Sequence, residues 1–465
     1  GERSCMSRVV ILGAGIAGLT AAFRRRWESK ESETVLLESG PKVGGSIQTV
    51  EEEGFVMETG PNTLRTTLAA ERLLADLKLE GEVIAADERA PRWIVRKGMP
   101  RAIIPGPPGI FTSAVSLRAK VRVLWEPFVA ERPGALDDES VYEFFERRFG
   151  PDLARYAAGP IVSGVYADDP RTLSIRSAFP ALWDAEGRGG SVIRGFLKKK
   201  EVVGPRPPRH RARTLNFRGG LKTLPETLER ALRAMGAEIV VSCPVAAVEG
   251  PLPASSSPRP WRVVTGDGRI IEADRVVSTL DARSLARLLG DRLPRSAPRL
   301  AQLEYSRLAV VLQAFETPRA EDAPKGFGVL IPRGEGYRSL GVLYPSSLFP
   351  GRIRTGVSQT TSFIGGALEP SLPDLSDAEL ENLAEDEVRR LHPGIGRKIY
   401  ARVVRWPAAI PRLPLRHYET LASLEQDLME VNGAGRPSLF VTGPWKDGVS
   451  LGDRIARGEE LGSLL

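Results

Sequence analysis

The chain has 465 residues, 42% of them hydrophobic and 26% charged, with a formal net charge of +7. It can therefore bury a large core divided among two or more subdomains. Its two cysteines, Cys5 and Cys243, form no motif and exclude a disulfide framework, and no run approaches the roughly eighteen apolar residues of a membrane-spanning helix. The histidines His210, His392 and His417 are scattered singly, with no HExxH or CxxC spacing, so neither metal catalysis nor a Ser-His-Asp triad is expected.

Arg8–Leu12 reads as a short buried strand that runs into Gly13-Ala14-Gly15-Ile16-Ala17-Gly18 and then a helix to about Trp27. Thr34–Glu38 reads as the second parallel strand, with Glu38 twenty residues beyond Gly18. That spacing suits a carboxylate that meets a ribose hydroxyl. Gly13 permits the tight turn, Gly15 admits a pyrophosphate and Gly18 lets helix and strand pack closely. The helix N-terminus adds unpaired N–H groups and a positive dipole end. A dinucleotide is expected here. After Glu38 come Ser39 and the pair Gly44-Gly45 with Ser46, and then Gly60-Pro61-Asn62-Thr63. A plain NAD domain has no need of these extra close-approach loops, whereas an extended FAD does. FAD is the expected cofactor. The glycine spacing and the lack of a small-residue cleavage site argue against reading Val9–Phe23 as an export signal.

Further along, residues 64–80 read as a helix, Arg92–Val95 as a strand, and the Pro/Gly-rich run Ile103–Ile110 as a break. Residues 116–197 read as mostly helical, with Ser140 ahead of the amphipathic Val141–Phe149. A basic stretch from Lys198 to Arg213 is either a solvated linker or a region attracted to anionic lipid or an acidic substrate; it lacks the interleaved aromatics of a nucleic-acid site. Ala237–Val241 and Asp274–Thr279 look like a return to the nucleotide-binding sheet, as does Leu439–Gly443 before a last helix from Ser450. Strands between Leu308 and Val357, and Ile399–Trp406, suggest a separate mixed sheet.

Several ordered blocks together resemble the protoporphyrinogen oxidase family, within the superfamily of amine oxidases and phytoene desaturases. They are Leu37–Ser39 with Val43–Ile47, Gly60–Asn62, Leu173–Arg176 with Phe179-Pro180, Phe217–Gly220, Gly326–Leu330, Thr361–Gly366, and Gly443 with Gly448–Gly452 and Ile455. The resemblance spans Arg8 to Leu465. It implies an α/β architecture: an FAD-binding Rossmann-like domain built from residues 8–90, 205–299 and 416–465, a helical membrane-associating and substrate subdomain over 91–204, and a substrate-binding mixed-sheet domain over 300–415.

The implied activity is FAD-dependent oxidation of a porphyrinogen to a porphyrin by removal of six electrons, with oxygen as acceptor and hydrogen peroxide as by-product. Coproporphyrinogen is the alternative substrate, and an amine oxidase, a carotenoid desaturase or a flavin-bound sensor are more distant readings. By position, Arg92 pairs with a substrate carboxylate, Leu343 and Phe363 sandwich a pyrrole ring, Phe327 and Leu330 share that wall, and the segment of Ser163, Gly164 and Val165 approaches the macrocycle. Cofactor contacts are implied for the three loops above and for Val245, Trp406, Gly443, Val449, Ser450 and Leu451. No acid or base is nominated. Gly443-Pro444-Trp445-Lys446 departs from the family's usual Gly-Asn pair. The resemblance also implies peripheral attachment to the cytoplasmic side of a membrane (or an organelle inner membrane), hand-over to ferrochelatase and a homodimer. Pro105–Phe111 with Val115, Leu117, Trp125 and Phe128 is the docking patch this suggests.

Overall fold

A computed structural model describes residues 7–29, 32–103, 113–134, 136–198, 210–251 and 259–465. Five strands form a wholly parallel sheet in the order Glu238–Val240, Glu33–Leu37, Arg8–Leu12, Arg275–Ser278, Leu439–Val441. Their side chains alternate between two cores, as period-two geometry requires. Val9, Ile11, Leu36, Ile239 and Val277 pack on one side with the helices Ile16–Glu28, Thr223–Ala234 and Leu451–Leu464. Val10, Leu12, Val35, Leu37 and Val276 pack on the other with the antiparallel meander Val245–Glu249, Trp261–Thr265, Ile270–Ala273 and the helix Ala282–Leu289. The returns of 237–241, 274–279 and 439–443 to this sheet are as the sequence suggests.

A second, seven-stranded sheet runs Lys398–Trp406, Leu308–Glu316, Val357–Gly365, Ser339–Leu343, Gly328–Leu330, Arg92–Arg96, Met99–Ile103. It is antiparallel except where Gly328–Leu330 pairs with Arg92–Arg96, so it is mixed. The hairpin Arg92–Ile103, grouped above with the helical segment, is thus the edge of this sheet. The helix Asp377–Leu391, started by a capping box of Ser376 and Glu379, covers the back face through Leu380, Ala384 and Val388. The helix expected over 64–80 is confined to Leu68–Asp76, because Thr67 caps it and Leu64–Arg65 pairs as a strand with Thr214–Phe217.

The helices Leu117–Trp125, Val141–Phe149, Gly159–Tyr166, Pro180–Gly189 and Val192–Leu197 make up most of the segment 117–197. A buried charge cluster organises them. Glu126 and Arg148 are both fully buried, and Arg148 Nε donates to Glu126 Oε1 at 2.7 Å. The same carboxylate accepts from Ser191 Oγ at 2.6 Å and from the N–H groups of Val192 and Ile193 at 2.9 and 3.2 Å, so it also closes the start of the helix Val192–Leu197.

The first and last helices of the nucleotide domain meet through glycines. A Cβ on Gly458 would lie 2.7 Å from the Ala17 carbonyl, and one on Gly462 would lie 2.6 Å from that of Ala21. Gly458→Leu should therefore force the helices apart and cost about 1–3 kcal/mol or more. A lowered thermal midpoint, with weakened retention of FAD, is the expected outcome; an unchanged midpoint would show that this contact is dispensable.

Candidate FAD and substrate site

Strand–turn–helix geometry builds the first wall. Gly13 has φ +98°, and its N–H donates to the Leu37 carbonyl at 2.8 Å. A Cβ on Gly18 would lie 2.1 Å from the Gly13 carbonyl, so helix and turn touch backbone to backbone there. A Cβ on Gly15, in contrast, would meet nothing within 4 Å. Gly15 opens on space, as a phosphate cradle must. Glu38 spans the end of its strand: Oε2 accepts from Ala14 N at 2.9 Å and Oε1 from Gly40 N at 2.8 Å. This holds the carboxylate at the rim of the cradle, with Ile16 and Ala17 in the first turn of the helix behind it. Ser39, next to it, is exposed.

The second loop is tied to the first. Gly44 N donates to the Ala14 carbonyl at 2.8 Å, and Gly44 and Gly45 have φ of +105° and +59°. A Cβ on Gly60 would sit 2.0 Å from the Ser46 carbonyl and 3.6 Å from the Trp406 ring. Trp406 Nε1 donates to Thr59 O at 2.7 Å, joining the mixed sheet to this loop. Asn62 Nδ2 donates to Gly60 O at 3.0 Å, while its buried Oδ1 has no partner among the described residues. Pro61 and Thr63 flank it. Val245 follows a segment bonded to the Glu38 turn, where Cys243 N meets Glu38 O at 2.8 Å and Ser242 N meets Gly40 O at 2.7 Å.

The C-terminal block closes the ring of loops. Gly443 leads from the strand Leu439–Val441 into a short turn in which Trp445 is buried and donates from Nε1 to Leu280 O at 3.2 Å. Trp445 is therefore a core side chain beneath the loop. Ser450 caps the helix Leu451–Leu464, and Val449 packs against the cluster that contains Val162 and Tyr166. An open glycine cradle, a rim carboxylate, an orphaned amide oxygen and three backbone-lined loops fit FAD.

The residues that the sequence assigns to the substrate come together through strand register. One register line carries Ile94, Leu330, Gly341, Phe363, Val310 and Val404; the next carries Arg92, Gly328, Leu343 and Thr361. Residues two apart share a face. Arg92, Leu330, Leu343, Phe363 and Trp406 therefore lie on the same face, opposite the covering helix. Leu343 and Phe363 are diagonal neighbours on adjacent strands, a separation of about 7–8 Å that suits one flat ring between them. Gly341, directly opposite Phe363, keeps that space clear; a lone glycine inside an apolar strand was the signal for it that sequence reasoning missed. The helix Gly159–Tyr166 covers this wall, since a Cβ on Gly164 would lie 2.6 Å from Leu330 Cδ2. Val165, the next residue, is 46% exposed. Arg92 lies 4.4 Å over the Phe327 ring and 3.9 Å from Glu88, leaving most of its fork free for a ligand.

The histidines stand apart. His392 Nε2 meets Tyr344 Oη at 2.9 Å, and burial pushes its imidazole down to about 4. His417 Nε2 meets the Trp445 carbonyl at 2.7 Å, and His210 meets the Thr66 carbonyl at 3.0 Å. Among the described residues no cluster suits a metal ion. Gly15→Val should fold with an unchanged thermal midpoint in the flavin-free form yet purify colourless, because its side chain occupies cofactor space. Retention of a full complement of flavin would remove Gly15 from the cradle.

The family model for flavin containing amine oxidoreductases matches residues 16–449. The chain is 30% identical to protoporphyrinogen oxidase 1 of Spinacia oleracea, over 95% of this chain and 81% of that protein. It is 27% identical to coproporphyrinogen III oxidase of Bacillus subtilis, over 97% of this chain and 96% of that one. A crystal structure of an Exiguobacterium protein superposes with a TM-score of 0.77 at 22% identity, covering 100% of this chain and 99% of the other. The cofactor is FAD, and the chain is an oxidoreductase of the flavin containing amine oxidoreductases that belongs, within them, to the protoporphyrinogen oxidase family.

Proposed function

We propose that the protein oxidises protoporphyrinogen IX to protoporphyrin IX. The observation that carries this reading is the single sheet face on which Arg92 sits at one end of an apolar wall of Leu330, Leu343 and Phe363. A flat tetrapyrrole with carboxylates on one edge needs both features. FAD supplies a two-electron acceptor, and the protein's part is to bind, orient and keep water out. Arg92 receives a propionate through two parallel hydrogen bonds. Leu343 and Phe363 hold a pyrrole ring between them, and Gly164 sets how closely the helix above can approach. Between Arg92 and Phe363 the wall offers, besides Arg92, only Ile94, Leu330, Leu343, glycines and the buried Thr361, none of them suited to moving a proton. Oxygen is the proposed final acceptor.

Coproporphyrinogen III, with four carboxylates, is the second reading, and a particular feature favours it. Beside the helix Gly159–Tyr166 lies a cavity of about 460 Å³ lined by Arg155, Arg171 and Arg333 with Ser163. Arg333 is paired with Glu369 and Asp169 also lines the cavity, but Arg171 only stacks 3.8 Å over Tyr142 and Arg155 reaches Glu335 only at 3.7 Å. Additional carboxylates would find partners there.

Anaerobic mixing of the holoprotein with each porphyrinogen discriminates the two. Protoporphyrinogen should bleach the flavin band faster, and Arg92→Ala should weaken its binding by about 1.5–3 kcal/mol, roughly ten- to a hundredfold. Faster bleaching by coproporphyrinogen reverses the order of the two readings, and no bleaching by either removes the porphyrinogen assignment.

We further propose that the helical segment rests on a membrane surface. The helix Leu117–Trp125 and the turn after it expose Leu117, Val121, Leu124, Trp125 and Phe128, with Leu117 77% and Phe128 67% exposed. The spacing i, i+4, i+7, i+8, i+11 places them on one side, beside Arg118, Lys120 and Arg122. Glu126, locked by Arg148, makes this platform rigid. Residues 105–111 of the patch expected from the sequence lie outside the described residues. Among the described residues no helix is long and apolar enough to cross a membrane. Trp125→Ser with Phe128→Ser should abolish co-sedimentation with anionic vesicles while turnover in detergent persists. Undiminished sedimentation would place the membrane contact elsewhere.

A further inference from the structure

The buried arginines among the described residues all find partners, carboxylates for Arg24 and Arg148 and main-chain carbonyls for Arg25 and Arg275. Arg24 donates from Nε to Glu459 at 2.9 Å, Arg148 to Glu126 at 2.7 Å, and Arg352 lies 3.1 Å from Glu58. Arg454 breaks the pattern. Its side chain is partly buried, its Nε is buried with no hydrogen-bond partner among the described residues, and Asp447 and Tyr305 act on it only from beyond ion-pair distance. Asp447 is itself engaged by Thr442 Oγ1 at 2.6 Å, by Gly443 N at 3.3 Å and by Lys446 and Arg457 at 3.8 Å. Burial pushes the Arg454 guanidinium down to about 10, the mark of a cation without a close counter-charge.

The place of this arginine matters. It lies in the first turn of the helix Leu451–Leu464, immediately after the Gly443–Leu451 loop, and its N–H donates to Ser450 O at 3.1 Å. Tyr305, which feels its charge, accepts from Ala282 N at 2.9 Å, just past the end of the parallel strand Arg275–Ser278. Asp453, its neighbour, acts on Tyr166 of the helix that carries Gly164. The turn therefore sits where the carboxyl ends of the parallel strands meet the substrate helix, the crevice in which an open α/β sheet binds its ligand. A buried charge needs a partner, and among the described residues none stands within ion-pair distance.

We infer that Arg454 is a counter-cation for the bound FAD, its guanidinium paired with an anionic part of the cofactor rather than with a protein carboxylate. That anion is either the pyrophosphate or the pyrimidine edge of the reduced flavin ring; both are oxygen-rich and negatively charged. The assignment depends on the cofactor and is independent of which porphyrinogen is oxidised. The full-length holoprotein and its Arg454→Met and Arg454→Lys variants test it through two quantities other than turnover: the FAD dissociation constant and the two-electron reduction potential. A dissociation constant raised at least tenfold in Arg454→Met, with the potential unchanged, supports the assignment and identifies the pyrophosphate. A potential lowered by about 30 mV, the equivalent of a tenfold preference in a two-electron couple, supports it and identifies the ring. In either case Arg454→Lys recovers most of the loss, and FAD raises the thermal midpoint of Arg454→Met by less than that of the wild type. Both quantities unchanged would overturn the assignment, as would an Arg454→Met variant whose flavin-free and flavin-bound forms melt lower by the same amount.

Discussion

Everything in this molecule depends on bringing the last helix of the chain against the first. The helix Leu451–Leu464 lies on Ile16–Glu28 because Gly458 and Gly462 remove the side chains that would hold the backbones apart. Charge secures the same contact: Glu459 is buried and accepts from Arg24 Nε at 2.9 Å and from Arg72 Nε at 3.0 Å, while Arg24 also reaches Asp76 at 2.6 Å. Two arginines on one buried carboxylate offset the cost of removing it from water, and loss of either partner would leave charge stranded. The contact carries the Gly443–Leu451 loop to the glycine cradle at Gly13–Gly18, so that one crevice is made from opposite ends of the sequence.

The second sheet is tied to the cofactor loops by several bonds, among them Trp406 Nε1 to Thr59 O, Arg352 to Glu58 and Tyr400 Oη to Glu52. From there, register determines the wall proposed to bind substrate. Leu308 opposes Trp406, Val310 opposes Phe363, Phe363 opposes Gly341 and Gly341 opposes Leu330. A slip of one residue would turn every one of these side chains to the back face, which is already filled by Leu380, Ala384 and Val388. The packed back face therefore protects the chemistry of the open one. Glycines at 328 and 341 lower the wall between taller side chains, so the surface offers slots rather than a plane.

The helical segment adds two surfaces with opposite character. Its interior is held by Glu126, Arg148 and the start of the helix at Val192, a charge cluster fully removed from solvent. Its exterior bears apolar side chains at helical spacing with basic residues beside them. The buried cluster gives direction to what the exposed face carries, because a helix anchored through Glu126 and Arg148 presents those apolar side chains outward.

Local chemistry was legible in the sequence wherever a single short segment had to do something unusual with its backbone. The turn at Gly13, the close approach at Gly18, the carboxylate at Glu38 and the pairs Gly44-Gly45 and Gly60-Pro61 all announce themselves within sixty residues, and the structure puts each of them around one cradle. Alternating and continuous apolar runs likewise marked the parallel strands. What sequence spacing could not reveal were the relations between distant segments. The place of Arg92–Arg96, one strand in from the edge, rests on parallel pairing with Gly328–Leu330, more than two hundred residues away, and no local pattern records a partner. The same is true of Gly341, whose meaning comes from standing between Leu330 and Phe363, and of Trp445, which sits in the C-terminal loop block and fills the core. Arg454 looks like an ordinary helical arginine until the neighbours that fail to neutralise it are seen. Sequence by itself determined the cofactor loops because backbone conformation is a local property. Tertiary structure decided the substrate wall and the lone cation, because burial and register exist only between segments that the chain brings together.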